Sequence, residues 1–491
     1  MAKAVPENIS VGANKIMADS ALRIGLCGIG LEAYWPQFDG LKERLEGYVR
    51  KVGSRLEKSE VEVESLGLID SPQRARDAGH VCRRADIDLL IIYVTTYALS
   101  NTVLPLVQRA RVPVLILNRQ PTAAIDYEMF NKLPDRKAMT GEWLAYCSAC
   151  PVPEIANVLL RANVAFHQVT GVLDDESTWA SIEEWINAAK VKKILEENRL
   201  GLMGHYYSGM LDIQTDLTRV SIVFGSHIEH LEVDELSALR AEVNDQAIEH
   251  RVKEFYSVFD VQPDCSSAEL ERAARTSVAL DSLVANYDLN SLAYYYKGSG
   301  VPTNEDTISS IILGTSLLTA RGIATAGEYE VKNVLAMKIM DSFGVGGSFS
   351  EYYAMDLNAD HVLMGHDGPG HFGIAEGKAR VRPLEVYHGK VGRGLSIEMS
   401  VKHGPVTLLS VVENAEHGFK LLAAQAESVP GETLHIGNTN SRYRFSIGAR
   451  GFVEAWNAEG PAHHCAIGVG HIAGKLAKLA QLLEIPFVQV C

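Results

Sequence analysis

Hydrophobic and polar positions divide the chain into two textures. In the first third, Leu22 to Cys27 is an apolar run closed by Gly28, and Val61 to Ile69 alternates. Leu89 to Thr95 is apolar and β-branched, and Val112 to Leu117 follows a helix-like segment that starts near Ser100. Runs of this length and period read as strands, and strands spaced by helices imply a parallel, doubly wound sheet. Ligands of such sheets sit beyond the carboxyl ends of the strands, so the loops after Cys27, Thr95 and Asn118 are expected site loops. A charged amphipathic helix over Ser177 to Asn198 reads as a connector. The strand pattern restarts at Gly201 to His205. Two long helical stretches between Glu232 and Tyr287, then Thr307 to Thr319 and Gly327 to Phe343, fill out a second α/β unit. After Gly346 the segments ARVRPLEVYHG, LSIEMSVKHG and PVTLLSVVEN are strand-like and separated by Gly, Pro, Asn or His, before a closing helix near Gly470 to Leu483. The expected fold class is α/β, with doubly wound N-terminal (1–187) and central (188–345) α/β domains followed by a β-rich C-terminal domain (346–491).

A length of 491 residues agrees with several domains, because a single core rarely grows that large. The net charge of −15 comes without a long acidic tail or basic run, which makes duplex nucleic acid and anionic membrane poor partners. Small molecules and other subunits are the expected partners. The first residues hold no apolar stretch of leader length, and nowhere do about 18 apolar residues run together, so a cytoplasmic protein is expected. Seven scattered cysteines do not form a disulfide framework, and Cys147 and Cys150, a lone CxxC, read as a buried reduced pair.

The loop GIGLEAYW opens like a dinucleotide fingerprint at Gly28 and Gly30, but no acidic residue follows on a clear second strand. A tight strand-to-helix turn is the better reading. Tyr34 and Trp35 there have the faces to stack on a sugar ring.

Four segments carry metal-type donors. TAGEYEVKNVLAMKIMD holds Glu328 and Glu330 at an expected helix start, where acidic residues also suit the macrodipole. GGSFSEYYAMD places Glu351 after a glycine-rich bend among apolar neighbours, where an unpaired carboxylate is costly. HVLMGHDGPGHFG brings His361, His366, Asp367 and His371 into one short stretch, and AEGPAHHCAIGVGH adds His463, His464 and His471. Adjacent strand residues point to opposite faces, so one at most of His463 and His464 is expected as a ligand.

Taken in order, A-G-E with Lys332 following, G-G-x-S/x-F-x-E, D-x-V-L-x-G-H and G-x-A-H-H resemble the metal-site series of the L-arabinose isomerases and the related L-fucose isomerases. The resemblance extends weakly over most of the chain, through TGEW and PVPEIANVLLRANVAFHQVTG to the closing domain. It implies Glu328, Glu351, His366 and His464 as ligands of Mn²⁺, with Co²⁺ or Mg²⁺ as substitutes. It also implies that Glu328 and Glu351 interconvert an aldose and a ketose through a cis-enediol, with His463 orienting substrate. It further implies a barrel-like C-terminal domain, and a homo-oligomer (trimer or hexamer) whose sites lie between subunits. On that reading Tyr34, Gln120, Arg136 and Met139, far from the metal residues in sequence, handle substrate.

The chain departs from the family before TGEW. Where arabinose isomerases carry a Gln and a His, it reads DRKAM, with Arg136, Lys137 and Met139. This argues against L-arabinose as substrate. Arg136 and Lys137 suit either an anionic sugar or a solvated helix end, and Arg442 with Arg444 allow the same two readings. Two competing functions are a catalytically silent sugar-binding protein, which would be expected to lack a carboxylate, and a metal-dependent sugar epimerase on the same site.

Overall fold

A computed structural model of the chain describes residues 21–385, 392–416 and 418–491. Most of the stretch read for a leader, and the end of ARVRPLEVYHG, lie outside the described residues. The chain separates into two compact units, with the break between Lys193 and Ile194.

In the first unit, β1 (Leu22–Ile29), β2 (Val61–Ile69), β3 (Leu89–Val94), β4 (Val114–Gln120) and β5 (His167–Val172) form a parallel sheet in the order β2-β1-β3-β4-β5. This is a doubly wound order that reverses between β1 and β3. β3 is buried along its whole length, whereas β2 at the edge keeps its alternation because part of it faces solvent. The helix Leu41–Leu56 lays Leu45, Val49, Val52 and Leu56 against the sheet. Gly28 and Gly30 are packing residues: a Cβ on Gly28 would stand 2.4 Å from a Val49 methyl, and one on Gly30 would stand 2.9 Å from the Trp35 ring. Trp35 Nε1 donates to Asp70 at 2.7 Å, so the fingerprint-like loop is a tight turn closed by an indole.

Two readings are refined here. The helix Glu176–Glu196 carries the chain across the break between the two units, as a connector does, but it is well packed: Trp179, Ile182, Trp185, Ile186 and Val191 are buried and Trp185 stacks on His167 at 4.2 Å. Of the CxxC pair only Cys147 is buried; Cys150 is exposed, and both are free thiols.

In the second unit, β6 (Arg199–Gly204), β7 (His227–Leu231), β9 (Ser291–Tyr295) and β10 (Ala324–Ala326) form a parallel sheet in the order β10-β9-β6-β7. Three helices, Val233–Ala241, Asp245–Val258 and Ser267–Tyr287, replace the two expected. Asn244 starts the extra one, its side chain accepting from the Ala247 N–H at 2.9 Å. The Thr307–Thr319 stretch also divides, into Pro302–Ser309 and Ile312–Ala320.

The β-rich part closes on itself. β11 (Ser348–Asp356), β12 (His361–His366), β15 (Gly404–Asn414), β16 (Gly418–Val429), β17 (Thr439–Phe445) and β18 (His464–Val469) pair antiparallel in the ring order β15-β18-β11-β12-β17-β16, and β16 pairs back to β15. Closure leaves these strands no free edge within the ring. β19 (Phe487–Gln489) adds to β16, while β8 (Asp260–Val261), β13 (Arg380–Leu384) and β14 (Gly394–Glu398) make a small separate sheet. One apolar core joins Leu280, Leu313 and Leu317 of the helices to Val362, Leu408 and Tyr443 of the barrel. Among the described residues no helix is long and apolar enough to cross a membrane.

Candidate metal centre

Three barrel strands and one strained turn bring the donors together. Glu351 on β11 lies opposite both His464, the first residue of β18, and Gly365 on β12, next to His366. Gly365 is required by close approach, because a Cβ there would stand 1.7 Å from the Thr439 carbonyl oxygen. Glu328 arrives from the other side. The expected helix over Gly327 to Phe343 starts only at Val331, since Glu328 and Tyr329 are left-handed, with φ of 57° and 63°. Two successive non-glycine residues in that region store strain of the kind found at functional sites.

The result is a compact donor set. His464 Nε2 is 3.2 Å from His366 Nε2 and 3.6 Å from Glu328 Oε2. His366 Nε2 is 4.0 Å from Glu351 Oε1. Donors each about 2.1 Å from one cation stand roughly 3 to 4 Å apart, so this spacing suits a shared ion. Two overlapping groups could hold one: Glu328, His366 and His464, or Glu351, His463 and His464. Glu328 Oε2 is buried and receives no hydrogen bond. A buried carboxylate oxygen without a donor is expensive, and a cation removes that cost.

Surrounding groups orient the donors. Glu330 sits at the N-cap of the helix Val331–Ser342, but its side chain makes no cap; it meets Nδ1 of His464 instead. That leaves His464 Nε2 facing the cluster. His463, expected to face away from His464, does not. It lies just before β18, where strand alternation does not apply, and its Nε2 is 3.6 Å from Glu328 Oε2 and 4.0 Å from Glu351 Oε2. Asp212 accepts from His463 Nδ1 at 2.6 Å and from its backbone N–H at 3.1 Å. Burial opposes the charge on His463, but the neighbouring carboxylates of Glu328 and Asp212 prevail and lift its pKa to about 9. Burial raises the Glu351 carboxyl above the usual range, against the pull of His464 and His463. The loop carrying Asp212 is itself anchored, because Lys332 Nζ donates to the carbonyl oxygens of Asp212 and Gln214.

The other histidines serve elsewhere. His361 takes a bond from Arg444 at 3.1 Å, His371 faces Asp341 at 3.4 Å, and His471 donates to the Ala426 carbonyl at 3.1 Å. Arg442 donates to the Pro430 carbonyl at 2.6 Å, so neither strand arginine enters the cleft. Tyr34, Gln120, Arg136 and Met139 belong to the first unit. Tyr34 packs edge-on to Phe38 at 6.0 Å, Gln120 ends β4 and donates to the Ala123 carbonyl, and Arg136 is exposed at the start of the helix Arg136–Leu144, which also holds Met139.

Sequence reading missed Glu330 and Asp212 as positioning groups. A glutamate at an N-cap, a site that prefers Ser, Thr, Asp or Asn, is a faint signal for the first. Nothing local signals the second, which lies 251 residues from His463.

Glu328, Glu351 and His366 line a cavity of about 200 Å³ together with Tyr207, Tyr294, Tyr295, Ile308, Ile311 and Ile312. Residues 346–486, which hold every strand of the barrel ring but not the turn that carries Glu328, match the L-arabinose isomerase C-terminal domain. The chain is 23% identical over 421 residues to the L-arabinose isomerase of Nocardioides sp. (strain ATCC BAA-499 / JS614), covering 82% of this chain and 80% of that one. Both comparisons thus find a divergent likeness to L-arabinose isomerases. Two solute-binding proteins of ABC transporters were also found among solved structures. The one from Burkholderia multivorans is 11% identical, covering 58% of this chain and 82% of that chain, with a TM-score of 0.17. The one from R. palustris is 14% identical, covering 69% and 70%, with a TM-score of 0.17. Likeness at that level carries no argument about this chain.

Proposed function

We propose that this protein is a metal-dependent aldose–ketose isomerase acting on a monosaccharide through a cis-enediol. The observation that carries the reading is the convergence of Glu328, Glu351 and His366 on one small cavity, with His464 buried beside them and the Glu328 oxygen buried and given no donor. Likeness to an L-arabinose isomerase supports a sugar isomerase. Glu328, Glu351, His366 and His464 would hold the ion, for which Mn²⁺ is the first choice and Co²⁺ and Mg²⁺ the next, since mixed carboxylate and imidazole donors accept all three. When bound, the ion supplies a Lewis acid that polarises the carbonyl and its neighbouring hydroxyl.

The remaining work falls to side chains. One carboxylate of the Glu328 and Glu351 pair takes the proton from C2 of the aldose and returns it to C1, while the O2 proton passes to O1, so that nothing is gained or lost overall. Burial that raises the Glu351 carboxyl makes it a better base than an ordinary carboxylate. His463, held at Nδ1 by Asp212, directs Nε2 at both carboxylates and orients substrate hydroxyls between them. The tyrosine-lined wall keeps water from the enediol.

The test is a screen of metal-stripped protein, with and without Mn²⁺, against neutral and anionic aldoses in deuterated solvent. Metal-dependent ketose carrying deuterium at C1 or C2 is the expected result. Tight metal binding with no ketose from any aldose would overturn the reading.

A further inference from the structure

The first unit holds a dithiol that the metal centre does not use. Cys147 and Cys150 lie in the turns between the helices Arg136–Leu144 and Val152–Arg161. Cys147 is 5% exposed, Cys150 is open to solvent, and their thiols are hydrogen-bonded to each other. The Cys147 sulfur also accepts from the backbone N–H of Tyr97, just beyond β3. That N–H serves a disulfide sulfur as well as a thiol, so oxidation leaves no donor orphaned there. Burial first, then Cys150, pushes the Cys147 thiol up to about 12. No stabilised thiolate at Cys147 therefore favours the reduced form, the feature that makes some CxxC pairs strong oxidants. Of the other five cysteines, Cys27, Cys82 and Cys465 are buried, and Cys265 and Cys491 donate to the carbonyls of Val381 and Gln425.

We propose that Cys147 and Cys150 form a reversible dithiol–disulfide site, oxidised by low-molecular-weight disulfides such as glutathione disulfide. The exposed Cys150, as thiolate, attacks one sulfur of glutathione disulfide; that S–S bond breaks, and one glutathione leaves and takes a proton. Cys147 then gives up its proton, attacks the Cys150 sulfur and releases the second glutathione. Two cysteine thiols are thereby oxidised to one disulfide while one disulfide is reduced to two thiols. Closing from hydrogen-bond contact to a bond of about 2.05 Å asks for a small shift within an existing turn. The oxidised pair clasps the turn after the helix that carries Arg136 and Met139. It lies beside Tyr34, whose hydroxyl is pushed up by burial and then by the nearby thiols.

The test incubates the full chain with glutathione disulfide, quenches in acid, alkylates the remaining thiols and maps the peptides by mass spectrometry. Cys147 and Cys150 are expected to lose their thiols together, in one peptide with an internal disulfide, about tenfold or more faster than any of the other five. Dithiothreitol should restore both. Cys147→Ala should stop the reaction at a glutathione adduct on Cys150. Cys150→Ser, at an exposed position that leaves the core untouched, should keep Cys147 reduced. A parent that halts at the Cys150 adduct, a pair oxidised no faster than the other cysteines, or Cys147 oxidised in Cys150→Ser would each overturn the proposal. None of these readouts depends on metal or on isomerase activity.

Discussion

Glu330 holds Nδ1 of His464 across the gap between a helix start and the first residue of β18, and neither side chain is more than 1% exposed. A buried carboxylate on one imidazole nitrogen sets the tautomer and aims the other nitrogen at the ion. Glu330→Gln should therefore weaken Mn²⁺ binding about 10- to 100-fold, read by calorimetric titration. An unchanged affinity would make the contact purely structural.

Glu328 and Glu351 are the two proposed bases. Glu328→Gln and Glu351→Gln should each lower turnover by at least about 10²-fold, because each removes a ligand charge and a possible base. Circular dichroism should match the parent. Activity within a few-fold of the parent would show that the centre lies elsewhere.

His366 and His371 share one segment but not one role. His366 Nε2 stands 3.2 Å from His464 Nε2, whereas His371 faces Asp341 at 3.4 Å. His366→Ala should cost far more metal affinity than His371→Ala, and equal losses would remove the distinction.

Removing the ion should expose its contribution to stability. An ion that binds only the folded chain stabilises it by about 2.7 kcal/mol at a concentration 100 times its Kd. Chelator treatment should lower Tm and Mn²⁺ should restore it, with Glu328→Gln giving a smaller rise. A Tm indifferent to metal in the parent would count against the site.

In the first unit, Asp175 precedes the helix Glu176–Glu196 and accepts from the Ser177 and Thr178 N–H groups and hydroxyls. Those bonds, the Thr178 hydroxyl foremost, lower its pKa from 3.8 to about 2. A depressed carboxylate stabilises the fold above its unfolded value, and that share is lost as pH falls through the folded value. The urea midpoint should thus decline between about pH 4 and about pH 2, and Asp175→Asn should flatten part of that decline. Identical acid limbs would show that the cap contributes nothing measurable.

Much of the fold was legible because local pattern and burial agree. The edge strand β2 spans the Val61 to Ile69 run expected of it, and the fully apolar β3 is the central, buried strand that such a run implies. Helix ends were less legible where a single side chain decides them. Asn244 starts a helix inside a stretch that reads as continuous, and the left-handed Glu328 and Tyr329 delay another by several residues. The helix Glu176–Glu196 spans the break between the units as its charged pattern suggested, but that pattern gave no sign that Trp179 and Trp185 are buried.

By itself the sequence determined the donor types and their order along the chain, the parallel sheets and the β-rich end, since these follow from residue chemistry and short-range period. Only the tertiary structure decided which donors meet. It closed the barrel from β16 to β15, turned His463 and His464 to the same side, and set Glu330 and Asp212 behind them. It also gathered the lining of the cavity from residues as far apart in the chain as Tyr207 and His463. Such contacts depend on strand register, backbone strain and packing between distant segments, which no local pattern encodes.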